Sequence, residues 1–201
     1  MTAAAMKIYG IPQSRAARCL WMARELGLPH ENVPVHFRAT RESPALLKAN
    51  PNARVPALEE PGGFTLYESM AINLYLAKKH GAATPLAPAG LEEDALATQW
   101  SFWAMTEIEK PLLTLLLHAA GMRPQEDAAL DQARAELVRP LDVLEAHLAD
   151  RDWLMGGRFS VADLNVASVM AWAKGGKLDL GPWPKVAAWL GRCLGRPAFK
   201  G

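Results

Sequence analysis

The sequence predicts two unlike domains, an α/β half followed by an all-helical half. Short β-rich segments alternate with helical patterns as far as Leu66, and no β pattern follows this residue. Residues 82–90 contain two prolines and a glycine, a composition typical of a linker. We therefore expect one domain over residues 1–81 and a second over residues 91–201, joined by a linker at 82–90.

A βαβ unit is predicted at the start of the first half. Residues 6–10 alternate and are β-rich, which predicts a strand, and residues 14–26 carry apolar side chains at helical spacing. Ser14 is a suitable N-cap for this helix. Residues 31–37 are predicted to form a second strand, which Pro34 restricts to the edge of the sheet. The crossover between the two strands should be right-handed.

The rest of the first half predicts a hairpin between two helices. A short helical stretch covers residues 44–49, and two short apolar strands follow at 55–59 and 64–66. The sequence between them, Glu-Pro-Gly-Gly, is typical of a turn. A further helix is expected over residues 69–80, ended by Gly81.

Only helices are predicted in the second half, over residues 91–122, 125–149, 160–174 and 183–194. Pro111 should kink the first of them and Pro140 should bend the second. Ser160 and Asp163 have the spacing of a capping box, with Phe159 placed as its staple residue. We interpret this box as structural.

Composition excludes several classes of function. The chain has 22 basic and 21 acidic side chains, so its net charge of +1 predicts no nucleic-acid partner. Residues 1–6 are too short and lack the basic flank of a secretory signal, and no apolar stretch reaches membrane-spanning length. We expect a cytoplasmic protein. Cys19 and Cys193 should both be reduced and buried, and the five histidines show no metal-ligand spacing, so no metal is expected.

Ser14 is the first candidate for a role in the chemistry of the protein. A hydroxyl at a helix N-terminus meets unpaired N–H groups and the positive end of the helix dipole, which stabilise an anion. The hydroxyl O–H can therefore donate a hydrogen bond to a thiolate and increase the ionised fraction of the thiol at neutral pH. The alternative is that Ser14 only caps its helix.

Two further segments offer backbone and helix-end contacts. A proline at a strand start, such as Pro56, is a place where cis bonds occur, and the N–H and C=O of Val55 would then be available to pair with an extended peptide. Glu68 and Ser69 start a helix and together suit an amino-acid head with an ammonium and a carboxylate. The alternatives are an ordinary trans proline and simple helix capping.

Three tryptophans either line an apolar pocket or belong to the core: Trp100, Trp103 and Trp172.

The order of these motifs resembles the cytosolic glutathione transferases, of bacterial type with a serine-type active site. The resemblance covers nearly the whole chain, from Met6 to about Phe199. It rests on Asn-Pro-x-x-x-Val-Pro-Ala-Leu at residues 50–58, on Leu-Tyr-Glu-Ser-x-Ala-Ile at residues 66–72 and on the box at residues 160–163. It implies a thioredoxin-like domain that binds glutathione as cosubstrate, without a metal, and an all-α domain that binds the second substrate.

The resemblance also implies roles for single residues. Ser14 would activate the glutathione thiol, with Gln13 as the alternative activator. The backbone of Val55, with Pro56 in cis, would pair with the cysteinyl part, and Glu68 and Ser69 would hold the γ-glutamyl head. The weaker assignments are those for the glycine carboxylate: Arg54, Thr40 and Arg41. The residues implied for the acceptor-substrate pocket are Ile11, Trp103, Met105, Thr106, Pro111 and Trp172.

The residues at and near the turn differ from those of the tyrosine-type and cysteine-type classes of this family. Tyr9 is the only tyrosine near the turn, and we expect it in the core instead of at the thiol. Cys19 lies about a turn and a half into the first helix, which argues against reductase chemistry through a mixed disulfide. The Ser-Ser-Cys turn of the maleylacetoacetate-isomerase class is absent.

The expected activity is conjugation of glutathione to a small apolar electrophile, a detoxification reaction. The alternatives are a glutathione-dependent isomerase, dehalogenase or peroxidase with the same site, and a non-catalytic glutathione-binding or regulatory protein. A homodimer is implied, with contacts from helices 69–80 and 91–122 and with Phe37 or its neighbours inserted between the subunits.

Overall fold

A computed structural model describes residues 5–200 of the chain. These residues form two compact units, the first ending at Ala87 and the second running over Pro88–Lys200. The boundary falls within residues 82–90, which contain neither helix nor strand. Residues 1–4, which are part of the segment predicted not to be a secretory signal, lie outside the described residues, as does Gly201. The predicted fold class, an α/β unit followed by a helical unit, is confirmed.

The first unit contains a four-stranded sheet in the order β2-β1-β3-β4. Its strands are β1 (Met6–Tyr9), β2 (His30–Val33), β3 (Ala57–Glu59) and β4 (Thr65–Tyr67). The first two strands are parallel, whereas β3 is antiparallel to both β1 and β4. Its helices are α1 (Ala16–Glu25), α2 (Pro44–Ala49), which follows a 3₁₀ turn at Thr40–Glu42, and α3 (Ser69–His80).

Strand β2 lies at the edge of the sheet, as Pro34 predicted, but it ends earlier than the predicted limit at residue 37. Proline has no N–H to donate to the ladder, so regular pairing stops at Val33. The chain nevertheless stays beside β1, because the carbonyl of Val35 accepts a hydrogen bond from the N–H of Ile11 at 3.3 Å. This contact holds the segment after β1 against the sheet.

A small apolar cluster supports the end of β1. It consists of Tyr9, Val35, Leu46, Ala49 and Ala57, with the half-buried side chains of Val33 and Val55 packed against it. Burial of such side chains is the main favourable contribution to folding. The cluster therefore anchors the chain on both sides of the turn that follows β1.

The second unit is helical throughout the described residues. Its elements are α4 (Leu91–Trp103), a π-helical segment (Ala104–Ile108), α5 (Glu109–Ala119), α6 (Asp127–His147), α7 (Val161–Met170), α8 (Trp172–Gly175), α9 (Pro184–Leu194) and α10 (Pro197–Lys200). All ten residues of α7 are buried, so this helix forms the centre of the unit. None of the helices within residues 5–200 combines the length and the apolar character needed to cross a bilayer.

The prediction of one kinked helix over residues 91–122 is wrong, because the structure has separate helical segments there. The π-helical segment Ala104–Ile108 separates α4 from α5, and Pro111 lies in the first turn of α5. Proline cannot donate to the carbonyl four residues earlier, and its ring crowds that carbonyl. A wider turn before Pro111 relieves this crowding, so the interruption precedes the proline. Helix α6, in contrast, continues through Pro140.

The capping box at the start of α7 is confirmed as structural. Ser160 and Asp163 make both reciprocal hydrogen bonds of the box. The carboxylate of Asp163 also accepts the N–H of Leu154 at 2.8 Å and the indole N–H of Trp189 at 2.9 Å. Burial raises the pKa of Asp163, while these hydrogen bonds oppose that rise. One buried carboxylate thus joins three segments of the helical unit.

Candidate functional site

The turn after β1 is built on Gly10. This residue has φ of +128°, a conformation that favours glycine. A Cβ atom here would lie 2.7 Å from the Cβ of Ala16, 3.0 Å from the Cβ of Val55 and 3.3 Å from the Oγ of Ser14. The absent side chain therefore allows the start of α1, the serine hydroxyl and the loop before β3 to converge on one point.

Ser14 lies in this turn, just before α1. Its hydroxyl donates a hydrogen bond to the carbonyl of Ile11 at 2.7 Å and accepts one from the N–H of Ala16 at 3.1 Å. Helix α1 begins at Ala16 with Arg15 as its N-cap, so the predicted helix start at residue 14 is two residues early and the predicted N-cap, Ser14, is one residue early. The half-buried oxygen still binds an N–H of the first helical turn, while its own proton is directed to a carbonyl.

Val55 presents an open backbone. The Val55–Pro56 bond is cis, as predicted, and Pro56 is buried. The side chain of Val55 packs against the apolar cluster, yet no residue within 5–200 makes a hydrogen bond to its N–H or C=O. Buried Asn50 shapes the preceding loop, because its amide donates to the carbonyl of Arg54 at 2.8 Å and its side-chain oxygen accepts the N–H of Asn52 at 3.0 Å.

Helix α3 begins at Ser69 without a side-chain cap. The alternative that Glu68 and Ser69 merely cap this helix is therefore wrong. Glu68 is exposed, has φ of +71°, and its carboxylate makes no hydrogen bond or ion pair with residues 5–200. A non-glycine residue in this region of φ costs about 1–3 kcal/mol and is typical of functional sites. The uncapped N–H groups and the adjacent carboxylate together suit a zwitterionic head group.

Arg18 supports this helix end from within the protein. Only 2% of its surface is exposed, and its guanidinium donates to the Oγ of Ser69 at 3.2 Å. A positive charge thus lies beside the hydroxyl at the start of α3. No role is predicted above for Arg18. Its position within the run Ala-Ala-Arg-Cys-Leu-Trp-Met-Ala is nevertheless a signal, because a charge on a buried helix face needs a partner.

Cys19 and Tyr9 are excluded as thiol-activating or nucleophilic groups. Cys19 is fully buried, its thiol contacts the carbonyl of Ser69 at 3.8 Å, and burial raises its pKa. Tyr9 is buried as expected, and its hydroxyl donates to Glu59. Burial, together with this hydrogen bond, raises the pKa of Tyr9 to about 12. Cys193 is also buried, and within residues 5–200 it forms no disulfide, as predicted.

The other residues predicted to bind glutathione make no side-chain hydrogen bond to the turn after β1 within residues 5–200. Gln13, Arg41 and Arg54 are exposed, and Thr40 is half-buried at the start of the 3₁₀ turn. Their side chains make no hydrogen bond or ion pair with the part of the chain that the structure describes. Their roles, and the choice between Gln13 and Ser14 as activator, stay predictions.

The residues predicted for the acceptor pocket lie on several elements. Half-buried Trp103 ends α4 and meets buried Trp100 edge-on at 5.2 Å, which assigns Trp100 to the core. Met105 and Thr106 belong to the π-helical segment, a feature frequent at functional sites. The predicted set also includes Trp172 at the start of α8, buried Pro111 in α5 and half-buried Ile11 in the first unit. These pocket roles stay predictions.

Comparison with known protein families gives matches to both units. The model of the glutathione S-transferase N-terminal domain matches residues 4–78, and the model of the C-terminal domain matches residues 104–197. Glutathione S-transferase 3 of Zea mays is 35% identical over 210 residues, which cover 98% of this chain and 92% of that protein.

Two other relatives differ in kind. The glutathione transferase URE2P6 of Phanerochaete chrysosporium, solved in complex with oxidised glutathione, aligns with a TM-score of 0.87 and 26% identity over 100% of this chain and 96% of that one. Elongation factor 1-gamma of Danio rerio is 34% identical over 168 residues, 82% of this chain. The chain spans only 37% of the length of that elongation factor.

Proposed function

Because the chain belongs to the glutathione S-transferase family, we propose that it binds reduced glutathione in its first unit and transfers the sulfur to a small apolar electrophile. The observation that carries this proposal is the convergence on Gly10 of the Ser14 hydroxyl and of Val55, whose backbone is open. A hydroxyl, an extended backbone and an uncapped helix end are what a thiol-bearing peptide with a zwitterionic head requires.

Glutathione is held at three places in this proposal. The carboxylate of the γ-glutamyl head accepts hydrogen bonds from the N–H groups at the start of α3 and from Ser69, and the ammonium pairs with the unpartnered carboxylate of Glu68. The cysteinyl residue pairs with the N–H and C=O of Val55, as in the addition of a strand to a sheet edge. Arg54 or Arg41 binds the glycine carboxylate.

The chemical step is nucleophilic attack by the glutathione thiolate. The thiol proton passes to solvent, and the Ser14 hydroxyl turns from the carbonyl of Ile11 to donate to the sulfur. With an aryl halide as acceptor, the new C–S bond forms as the C–Cl bond breaks and chloride leaves. The protein contributes proximity and a hydrogen bond to the thiolate, without a covalent enzyme intermediate.

The second substrate is an apolar electrophile bound by residues of the helical unit, which include Trp103, Met105 and Trp172. A detoxification role in the cytoplasm accords with this chemistry. The protein acts as a homodimer through α3 and α4. Supporting this, α4 exposes 84% of Leu91 and 67% of Phe102, and Phe37 of the first unit is 38% exposed. Light scattering on the purified protein tests the dimer.

A non-catalytic role is the second candidate function. It is favoured by the similarity to elongation factor 1-gamma, which extends over 82% of this chain. The orientation of the Ser14 hydroxyl toward the carbonyl of Ile11 also suits a site in which no thiolate is activated. Glutathione-dependent isomerase, dehalogenase and peroxidase activities use the same thiolate, and product analysis distinguishes them.

Calorimetry with reduced glutathione and an assay with a chromogenic aryl halide test the proposal together. We expect saturable binding and turnover, with Glu68→Ala weakening glutathione binding about tenfold, because a charge-assisted hydrogen bond contributes about 1.5–3 kcal/mol. Glu42→Ala, at an exposed glutamate on the 3₁₀ turn, serves as the control. An absence of turnover, with or without glutathione binding, would favour the non-catalytic function, and an absence of glutathione binding would refute the proposed glutathione site.

A further inference from the structure

A cavity of about 230 Å³ lies within the helical unit, between α5, α6 and the end of α8. Its apolar side is formed by Leu115, Ala119 and Leu130, of which the two leucines are buried. The other side carries His118, Arg134 and Lys177, and none of the lining residues is acidic. An apolar surface facing three nitrogen-bearing side chains suits a ligand with an apolar body and an anionic end.

The three nitrogen-bearing side chains are able to donate to such a ligand. The Nδ1 of His118 accepts the N–H of Gln125 at 3.1 Å, so the neutral imidazole carries its proton on Nε2. Arg134 pairs with Asp131 through NH1 at 2.9 Å, and a guanidinium has further N–H groups. The ammonium of Lys177 makes no hydrogen bond or ion pair with residues 5–200.

Two glycines bring the end of α8 against α5. A Cβ on Gly175 would lie 2.6 Å from the Cδ1 of Leu116, and a Cβ on Gly176 would lie 3.0 Å from the Cβ of Leu115. The main chain therefore forms this wall of the cavity, and it places the next residue, Lys177, at the rim.

Lys177 occupies a position that elsewhere in this chain belongs to glycine. Helices α1, α5 and α8 all end with a hydrogen bond from an N–H to the carbonyl five residues earlier, as in a Schellman motif. In α1 and α5 the residue before this N–H is glycine, Gly27 at φ +62° and Gly121 at φ +66°. In α8 it is Lys177 at φ +54°, a conformation unfavourable for a residue with a Cβ. Lys177 holds this conformation at a cost in backbone strain, and its ammonium lies at the rim of the cavity.

We propose that this cavity binds a small organic carboxylate with an apolar body. The pocket is smaller than the roughly 300–1,000 Å³ typical of sites for drug-sized ligands, so its occupant has about ten non-hydrogen atoms, the size of benzoate. The carboxylate lies between Lys177, Arg134 and His118, and the apolar body rests on the two leucines. This site is formed by the helical unit alone and does not depend on the proposed glutathione function.

Titration of ¹⁵N-labelled protein with sodium benzoate, at constant ionic strength, tests the proposal. We expect saturable amide shifts in residues 115–119, 130–134 and 176–178, with a Kd of about 1 mM, as suits a ligand of this size. Benzamide has the same shape without the charge, and it should bind about tenfold more weakly. No saturable shift below about 20 mM, shifts confined to other residues, or equal affinity for benzamide would each overturn the proposal.

Variants of Lys177 separate a binding role from a structural one. Lys177→Gln should weaken benzoate binding about fivefold or more, whereas Lys174→Gln, at an exposed lysine one turn earlier, should change it less than about twofold. Lys177→Gly should lose the same affinity while the Tm stays equal or rises, because glycine accepts the left-handed conformation. Unchanged benzoate affinity in both Lys177 variants, or equal losses in the Lys174 control, would contradict the assignment.

Discussion

Replacing Ser14 by alanine removes the hydroxyl that the structure brings close to Gly10. In the structure this hydroxyl donates to the carbonyl of Ile11 and accepts from the N–H of Ala16. When the Ser14 hydroxyl donates to a thiolate, it therefore gives up its neutral hydrogen bond to the carbonyl of Ile11. The acceptor bond from Ala16 is compatible with both orientations.

The net effect on the thiol follows from this exchange. A hydrogen bond to a charged group contributes about 1.5–3 kcal/mol and a neutral one about 0.5–1.5 kcal/mol, so the midpoints of these ranges differ by about 1.3 kcal/mol, or about one pKa unit. A thiol of pKa about 8.5 is about 3% ionised at pH 7, and one unit lower it is about a quarter ionised. The weaker nucleophilicity of the less basic thiolate offsets part of this gain and leaves a rate advantage of about threefold at pH 7.

The assay is the rate of conjugation at saturating glutathione between pH 6 and 10. For Ser14→Ala we expect the midpoint of the profile to rise by about one unit and the rate at pH 7 to fall about threefold. Above about pH 9 the variant should equal or exceed the parent protein, because both thiols are then ionised and the variant's thiolate is the more basic. Ser43→Ala, which removes the cap of α2, controls for altered stability. An unchanged profile in Ser14→Ala would refute the reasoning and leave Gln13 as the activator.

Three further predictions concern groups around the site and the helical core. Gly10→Ala should destabilise the fold by about 3 kcal/mol and abolish glutathione binding, because the new Cβ meets two fixed neighbours. The control Gly63→Ala should carry only the cost of its positive φ. Denaturant unfolding of both variants measures the two losses of stability, and similar losses would contradict the prediction. Since the pKa of Tyr9 is raised to about 12 from about 10, the folded state favours the neutral phenol, and this stability, present below pH 10, should be lost as the pH rises toward 12. An absorbance difference titration against Tyr9→Phe measures its ionisation, and a midpoint near pH 10 would be inconsistent with the buried hydrogen bond to Glu59. Asp163→Asn should lower the free energy of unfolding by about 3–5 kcal/mol, since one amide oxygen cannot accept all the bonds of the carboxylate; a loss below about 1 kcal/mol would show that these bonds are dispensable.

Local patterns predicted the elements better than their limits. The hairpin at 55–66 and the helix at 69–80 were expected where β3, β4 and α3 are found, because turn residues and apolar spacing act over a few residues. The second strand was drawn too long across Pro34, and the helix at 91–122 was expected to kink at Pro111. In both cases the effect of a proline on neighbouring carbonyls decided the limit, and this effect depends on the packing around it.

The candidate site was predicted in part for the same reason. Ser14, Val55–Pro56 and Glu68–Ser69 were recognised because each is a short motif with its own turn or helix end. Arg18 was missed, because its partner Ser69 is 51 residues away. For Glu68 and Ser69 the sequence left helix capping open as the alternative, and only the structure shows that neither side chain caps the helix.

The sequence by itself determined the order of the strands, the division into an α/β and a helical part, and the short motifs at the turn, the cis proline and the helix starts. These are properties of neighbouring residues, set by hydrophobic period, turn chemistry and proline. Only the tertiary structure decided that Gly10 joins Ser14 to Val55, that Arg18 lies beside Ser69, and that Lys177 lies at the rim of a cavity. Such contacts join distant segments, and they form only where packed faces bring those segments together.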